Sequence, residues 1–364
     1  MRLYITFKII IFILSTFLLN GSQNVLVSQE DNYLDVVTSI KPIQDIIMGY
    51  YKSWDLIYIL PTNLNSTKTG INSLAYSPDG TELVTSSCGK ISFWNALTFE
   101  FTRALYAHKY RAEIEFSPDG EQLITSNDNS TKIWNSKTVD MIRTINQAGS
   151  CATFSVTKQL AICENNAISF KNRDNTPSTR NAHVLLVPET QARIYFITYS
   201  PNGAYLAALV KYPKKSELIL WDSEHYRQIY TKQIVAGTRQ AISFSPDSER
   251  IALATPDILV VYSIKIKQEI YSGEHKNICS VRYTPNNLYI IIGFTELKIE
   301  VLGAQKFTPQ QTLSGPSSFL TIAPDSNHLA TCALSDDVIY IWQAPLEFIL
   351  TKLSQKKSGT VLSS

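Results

Sequence analysis

The sequence repeats itself with a period near 40 residues, and a period of that length restricts the fold more than any single motif does. The two clearest copies are Ile71-Asn72-Ser73-Leu74-Ala75-Tyr76-Ser77-Pro78-Asp79-Gly80 and Ala112-Glu113-Ile114-Glu115-Phe116-Ser117-Pro118-Asp119-Gly120. Each runs on through Leu- and Thr/Ser-rich residues to a Trp-Asn pair, at Trp94 and Trp134. Fainter copies begin their turns at Ser200, Ser245, Thr284 and Ala323 and end on Trp221-Asp222, Val261-Tyr262, Val301-Leu302 and Trp342. A degenerate copy starts at Ser155, passes through Lys158 and ends at Phe170. The turns begin 38 to 45 residues apart and make seven units.

Within a unit, apolar and polar residues alternate with period two, as at Leu74, Tyr76 and then Leu83, Thr85, which is the signature of strands. The Pro-Asp-Gly step supplies a β-turn, because proline presets one backbone angle and Asp and Gly tolerate the rest. A third strand ends on the Trp or its replacement, and a more variable fourth follows, for example Phe101 to Tyr106 or Gln228 to Lys232. One such sheet has two open edges and cannot bury both faces, whereas seven packed radially can. The chain is therefore predicted to be all-β, a seven-bladed β-propeller of four-stranded antiparallel blades over residues 70–355, with a polar tail at 356–364. A hydrophobic content of 44% is ample for such a core. Either Leu56 to Leu60 or Leu346 to Leu353 can supply the outer strand that closes the ring, and the full length of the last unit favours the C-terminal segment.

These repeats resemble the WD-repeat family over roughly residues 70–353. The resemblance implies a propeller with a shallow central channel and a role in assembling partners. It also implies a structural tetrad of a His before the first strand, a Ser or Thr on the second, an Asp in the next turn and the Trp on the third. The second unit carries most of it as His108, Thr125 or Ser126, Asp128 and Trp134, with Ser126 taken as the hydroxyl member. Elsewhere the pattern decays: Cys88 stands at the Asp position of the first unit, Asp336 with Trp342 lacks the His, and the fifth and sixth units have no Trp. Exported propellers of the TolB-like kind share the Ser-Pro-Asp-Gly turn and are the nearest architectural rival.

At the N-terminus Arg2 and Lys8 precede an apolar stretch from Ile9 to Leu19, too short for a bilayer, followed by Asn20-Gly21-Ser22. The expectation is a signal peptide over residues 1–22, a periplasmic or extracellular protein, and no membrane span after cleavage. Residues 23–69 form a leader. Its segments Val36-Val37-Thr38-Ser39-Ile40-Lys41-Pro42-Ile43, Ile46 to Gly49 and Ile57 to Pro61 resemble the opening of periplasmic zinc-type solute-binding proteins. The His which that family would next require is replaced by Thr62-Asn63-Leu64-Asn65. An extra strand, or a degenerate unit ending at Trp54-Asp55, is the other reading.

The sequence holds no phosphate loop, His-Glu-x-x-His helix, nucleophile elbow or calcium loop. The five histidines, His108, His183, His225, His275 and His328, fall at unrelated points of the repeat, and the five cysteines lack zinc spacing. No catalytic residue, metal or cofactor is therefore expected. Cys151 and Cys163 come nearly opposite each other across a hairpin, so the choice is between a disulfide and two small buried thiols. The basic groups Lys211, Lys214, Lys215 and Lys265, Lys267 read as solvated loops, and a formal net charge of +2 gives no general pull toward nucleic acid. The loops before each first strand crowd one face, and the candidates there for a protein or peptide partner are Tyr110, Arg111, Arg239, Gln240, Lys276 and Asn277. The expected function is a monomeric, exported interaction scaffold. The alternative is an enzyme or small-ligand binder using the channel.

Overall fold

Seven sheets of four antiparallel strands, joined in a ring, account for every strand of the computed structural model, which describes residues 54–62, 70–146, 151–157, 159–164, 166–172, 184–187, 191–234, 241–334 and 337–345. No helix occurs among the described residues. Blades 1 to 6 run Ser73–Tyr106, Glu113–Asn146, Ala152–Leu186, Arg193–Ile234, Ala241–Glu274 and Ile278–Ser314, each from an inner to an outer strand. Blade 7 takes its inner three strands from Phe319–Gln343.

The core lies between blades and not inside any one of them. Leu83 and Trp94 of blade 1 pack on Ala330 and Ile341 of blade 7, whereas Val84 and Phe93, on the opposite face of blade 1, pack on Ile114 and Phe116 of blade 2. The second strand of each blade is thus buried on both faces, which is why Tyr205–Lys211 reads as a near-continuous apolar run. The middle strands alternate in the direction of their side chains but not in polarity.

The hairpin turns form a second ring. Ser77 Oγ donates to Asp79 Oδ1 at 2.6 Å and accepts from the Glu82 N–H at 2.9 Å, and the same arrangement recurs at Ser117/Asp119, Ser200/Asn202, Ser245/Asp247 and Thr284/Asn286. The fourth turn residue adopts positive φ, as Gly80, Gly120 and Gly203 or as Ser248, Asn287 and Ser326. Where glycine stands, the neighbouring turn comes close: a Cβ at Gly120 would sit 3.6 Å from Pro78. Where it does not, the side chain bridges. Ser248 Oγ accepts from the Asn202 N–H, Ser326 Oγ accepts from the Asn286 N–H, and Asn287 donates to Asp247.

Ring closure differs from the C-terminal completion favoured by unit length. The outer strand of blade 7 is Asp55–Pro61, in register from Asp55 opposite Gln343 to Pro61 opposite Val338. A bulge beside Trp342 matches the bulge beside the third-strand residues Trp94, Trp134, Trp221, Tyr262 and Leu302 of other blades. Pro61 is tolerated because it lies in an outermost strand, where a missing N–H breaks no ladder. Trp54 is buried, and its backbone N–H and C=O both bond to the Gln311 side chain of blade 6. Leu346 to Leu353, the signal segment and the leader before Ser53 lie outside the described residues.

Candidate functional site

Two kinds of connection gather at one end of the ring: outer strand to next inner strand, and second strand to third. The first of the candidate partner residues, Tyr110 and Arg111, sit there on the 107–112 connection, both exposed. Their loop is pinned from below. Gly89 O accepts from the N–H groups of Ala107 and His108 at 2.8 and 3.2 Å, and Lys132 Nζ donates to Ala107 O at 2.6 Å. Gly89 is required at this close approach, because a Cβ would fall 2.0 Å from His108 O. The Lys109 ammonium lies 5.4 Å from the Tyr110 ring centre.

His108 turns inward from the same loop. Thr125 Oγ1 accepts from the Trp134 indole N–H at 2.9 Å and faces His108 Nε2 at 2.9 Å. His108 Nδ1 faces Ser130 Oγ at 3.5 Å. Nε2 also faces the Thr125 carbonyl oxygen at 3.1 Å, an acceptor only, and burial pushes the His108 pKa down. Two assignments of the tetrad are corrected here. The hydroxyl member is Thr125 and not Ser126, because alternate strand residues face opposite sides and Ser126 instead meets Thr131 Oγ1 at 3.1 Å. Asp128 is not the imidazole's partner: it is exposed and pairs with Arg193 of blade 4, while Asn127 Oδ1 holds the turn by accepting from the Asn129 and Ser130 N–H groups.

The indole-to-threonine bond recurs as Trp94 to Thr85 at 3.3 Å and Trp342 to Thr331 at 3.0 Å. In blade 4 the place of that threonine, two residues beyond the rung opposite Trp221, is taken by Ala208. The family described as WD domain, G-beta repeat matches residues 55–95, 99–135 and 307–343. Those are the stretches that end on the three Trp–Thr blades. Each begins at or just before the outer strand of one blade and ends with the third strand of the next. These three stretches are WD40 repeats. The WD40 match from residue 55 accords with Asp55–Pro61 serving as an outer strand, and blades 3 to 6 keep the geometry without the match. No curated protein matches the chain.

Lys276 and Asn277 occupy the connection into blade 6, on the same face as Tyr110 and Arg111 but not beside them. Lys276 is exposed, whereas Asn277 donates to Glu296 Oε1 at 2.7 Å and is engaged. Arg239 and Gln240 lie outside the described residues. The four described candidates therefore lie on two different connections of the ring. Among the described residues no group of three His, Cys, Asp or Glu is arranged to hold a metal.

A charged set at the centre of the ring was not foreseen. Glu113 and Glu115 on the inner strand of blade 2 and Arg282 on that of blade 6 interact although their blades are not neighbours, so the interaction runs across the axis. Glu113 is exposed at the start of its strand and Glu115 is half-buried, both among the crowded inner strands. Burial pushes both carboxyls up to about 7, against the pull of Arg282. Glu115 Oε1 also accepts from Thr153 Oγ1 at 2.8 Å and from the Phe154 N–H at 3.1 Å, tying blade 2 to blade 3. The signal was present in the repeat: at the place of Glu115 and Arg282 the other units have Ala75, Thr153, Thr198, Ser243 and Thr321.

Proposed function

We propose that the chain is an exported, non-catalytic and monomeric propeller that assembles a protein or peptide partner on the loop-bearing face around the channel mouth. The observation that supports this most directly is an exposed Tyr110-Arg111 pair on a loop held by Gly89, Lys132 and the half-buried His108. An aromatic and an arginine presented on a rigid loop lose little entropy on binding, and such residues carry much interface energy. WD40 repeats in a seven-bladed ring add to the reading. The apolar stretch of residues 9–19 motivates export with cleavage near Ser22.

Affinity capture with residues 23–364 tests the binding face. The expected result is a partner recovered with the unsubstituted chain and with Lys137→Ala on the opposite face, and lost at least about tenfold with Tyr110→Ala/Arg111→Ala. Equal recovery with all three would refute the assignment. Export is tested by the mass of the chain recovered outside the cytoplasm, which should lack residues 1–22.

The channel set motivates a second reading, a small-ligand or acid–base role, because two carboxyls with pKa values near neutrality facing a guanidinium is an arrangement common at functional sites. Turnover or ligand binding abolished by Glu115→Gln, with partner capture intact, would establish it.

A further inference from the structure

Blade 3 is built with fewer restraints than its neighbours. Its inner strand, Ala152–Phe154, has only three residues and pairs with the second strand, Gln159–Glu164, at three positions. Its outer strand, Val184–Leu186, also has three residues. Lys171 stands opposite Leu160 where Trp94 and Trp134 stand opposite Leu83 and Leu123, so the Trp–Thr bond has no counterpart. Its turn has lost the Asx acceptor as well: Ser155 Oγ meets Thr157 Oγ1 at 3.0 Å, where other turns use Asp or Asn. What blade 3 has instead is a disulfide between Cys151 and Cys163, with Cα atoms 5.5 Å apart and both residues buried. The Cys163 N–H donates to Cys151 O at 2.9 Å. In blades 1 and 2 the corresponding rungs are Ser73–Ser86 and Glu113–Ser126, which carry no covalent link.

We propose that the Cys151–Cys163 disulfide is the fastener of blade 3, taking over from the Trp–Thr bond and the Asx turn, and that its reduction loosens this blade selectively while the rest of the ring persists. The bond closes the loop-bearing end of the inner hairpin, two residues before Thr153, which with its neighbour Phe154 hangs from Glu115 across the blade boundary. Restricting the unfolded hairpin at that end stabilises the blade, because the chain between the two cysteines then has less conformational entropy to lose on folding. In the reduction a dithiol gives up two electrons and two protons: the S–S bond breaks, two cysteine thiols form and the dithiol closes to its own disulfide. Both sulfurs are buried, so exchange proceeds through local opening of blade 3.

The test uses the full chain purified from an oxidising compartment. Peptide mapping without reductant should recover the segments holding Cys151 and Cys163 as a linked pair. After treatment with dithiothreitol, hydrogen exchange should quicken in residues 152–154 and 159–164 and stay unchanged in residues 250–254 and 258–263 of blade 5. Cys151→Ala/Cys163→Ala should show the same exchange pattern, no further response to dithiothreitol and a Tm lower by about 5 °C. Should that variant fail to fold, the exchange experiment on the unsubstituted chain still decides. Full alkylation of both cysteines in unreduced, unfolded protein would overturn the proposal, as would unchanged exchange in blade 3 after reduction, or acceleration spread evenly over all blades.

Discussion

Blades 2 and 5 occupy equivalent places in the ring, share the same hairpin turn and bury comparable strands, yet hold their third strands by different physics. In blade 2, Trp134, Thr125 and His108 form a chain of polar contacts that runs from the core to the loop. In blade 5, Tyr262 takes the Trp position and Leu253 the Thr position, and Tyr262 stacks on Tyr230 of blade 4 with ring centres 3.9 Å apart. Outside that stack, Tyr230 and Lys232 both bond to Glu269, fastening the rims of blades 4 and 5. Either solution works because the propeller needs only that each third strand be fixed against its second strand and its neighbour. Polar fixation is directional and leaves costly orphans when one member is lost, whereas apolar fixation tolerates substitution of similar volume.

That difference can be broken from both sides. Replacing Trp134 by Ala should cause the largest loss, about 3–5 kcal/mol in denaturant unfolding, since it opens a cavity and removes the donor to Thr125 Oγ1. Thr125→Val keeps the shape and removes only the hydroxyl, so it should cost about 1–3 kcal/mol, against about 1 kcal/mol or less for Ser126→Ala. Equal costs would mean that the hydroxyl member has been misplaced. In blade 5 a backbone position can be tested: Lys267, exposed with φ 55, should give a gain of about 0.5 kcal/mol as Lys267→Gly.

The smallest effect is expected from pH, because channel water and salt screen the charges involved. Glu113 and Glu115 of blade 2 have folded pKa values raised from 4.5 to about 7, so their neutral forms favour the folded state. The stability they lend is fully present below about 4.5 and is lost as pH climbs through 7. Thermal unfolding between pH 4.5 and 8 should therefore fall more steeply with pH for the unsubstituted chain than for Glu113→Gln/Glu115→Gln. Blade 5, with Ala241 and Ser243 at the matching positions, has no such groups on its inner strand.

The blade count and the four-strand unit were legible because turns at Ser77, Ser117, Ser200, Ser245 and Thr284 recur at a period that only a radial array of sheets accommodates. The tetrad was half legible. His108 and Trp134 stand out by residue type, but choosing Thr125 over Ser126 requires knowing which side of a strand faces the indole, and a shift of one residue reverses that side. A threonine nine residues before the Trp, present at Thr85 and Thr125, would have pointed to it. Asp128 was drawn into the tetrad by its spacing, whereas its charge is held by Arg193, far away in the chain.

By itself the sequence determined the local chemistry of this protein: where the turns fall, how long the strands are, and that seven units must share their faces to bury them. Each of those follows from interactions between residues a few positions apart. Only the tertiary structure decided which terminus closes the ring, that Glu113 and Glu115 meet Arg282 across the axis, and that blade 3 is joined by a disulfide where blades 1, 2 and 7 use an indole and a threonine. The first two depend on residues brought together by ring closure, a distance that no repeat spacing encodes, whereas at blade 3 the hairpin placed the cysteines opposite each other and left only the choice between a bond and two thiols.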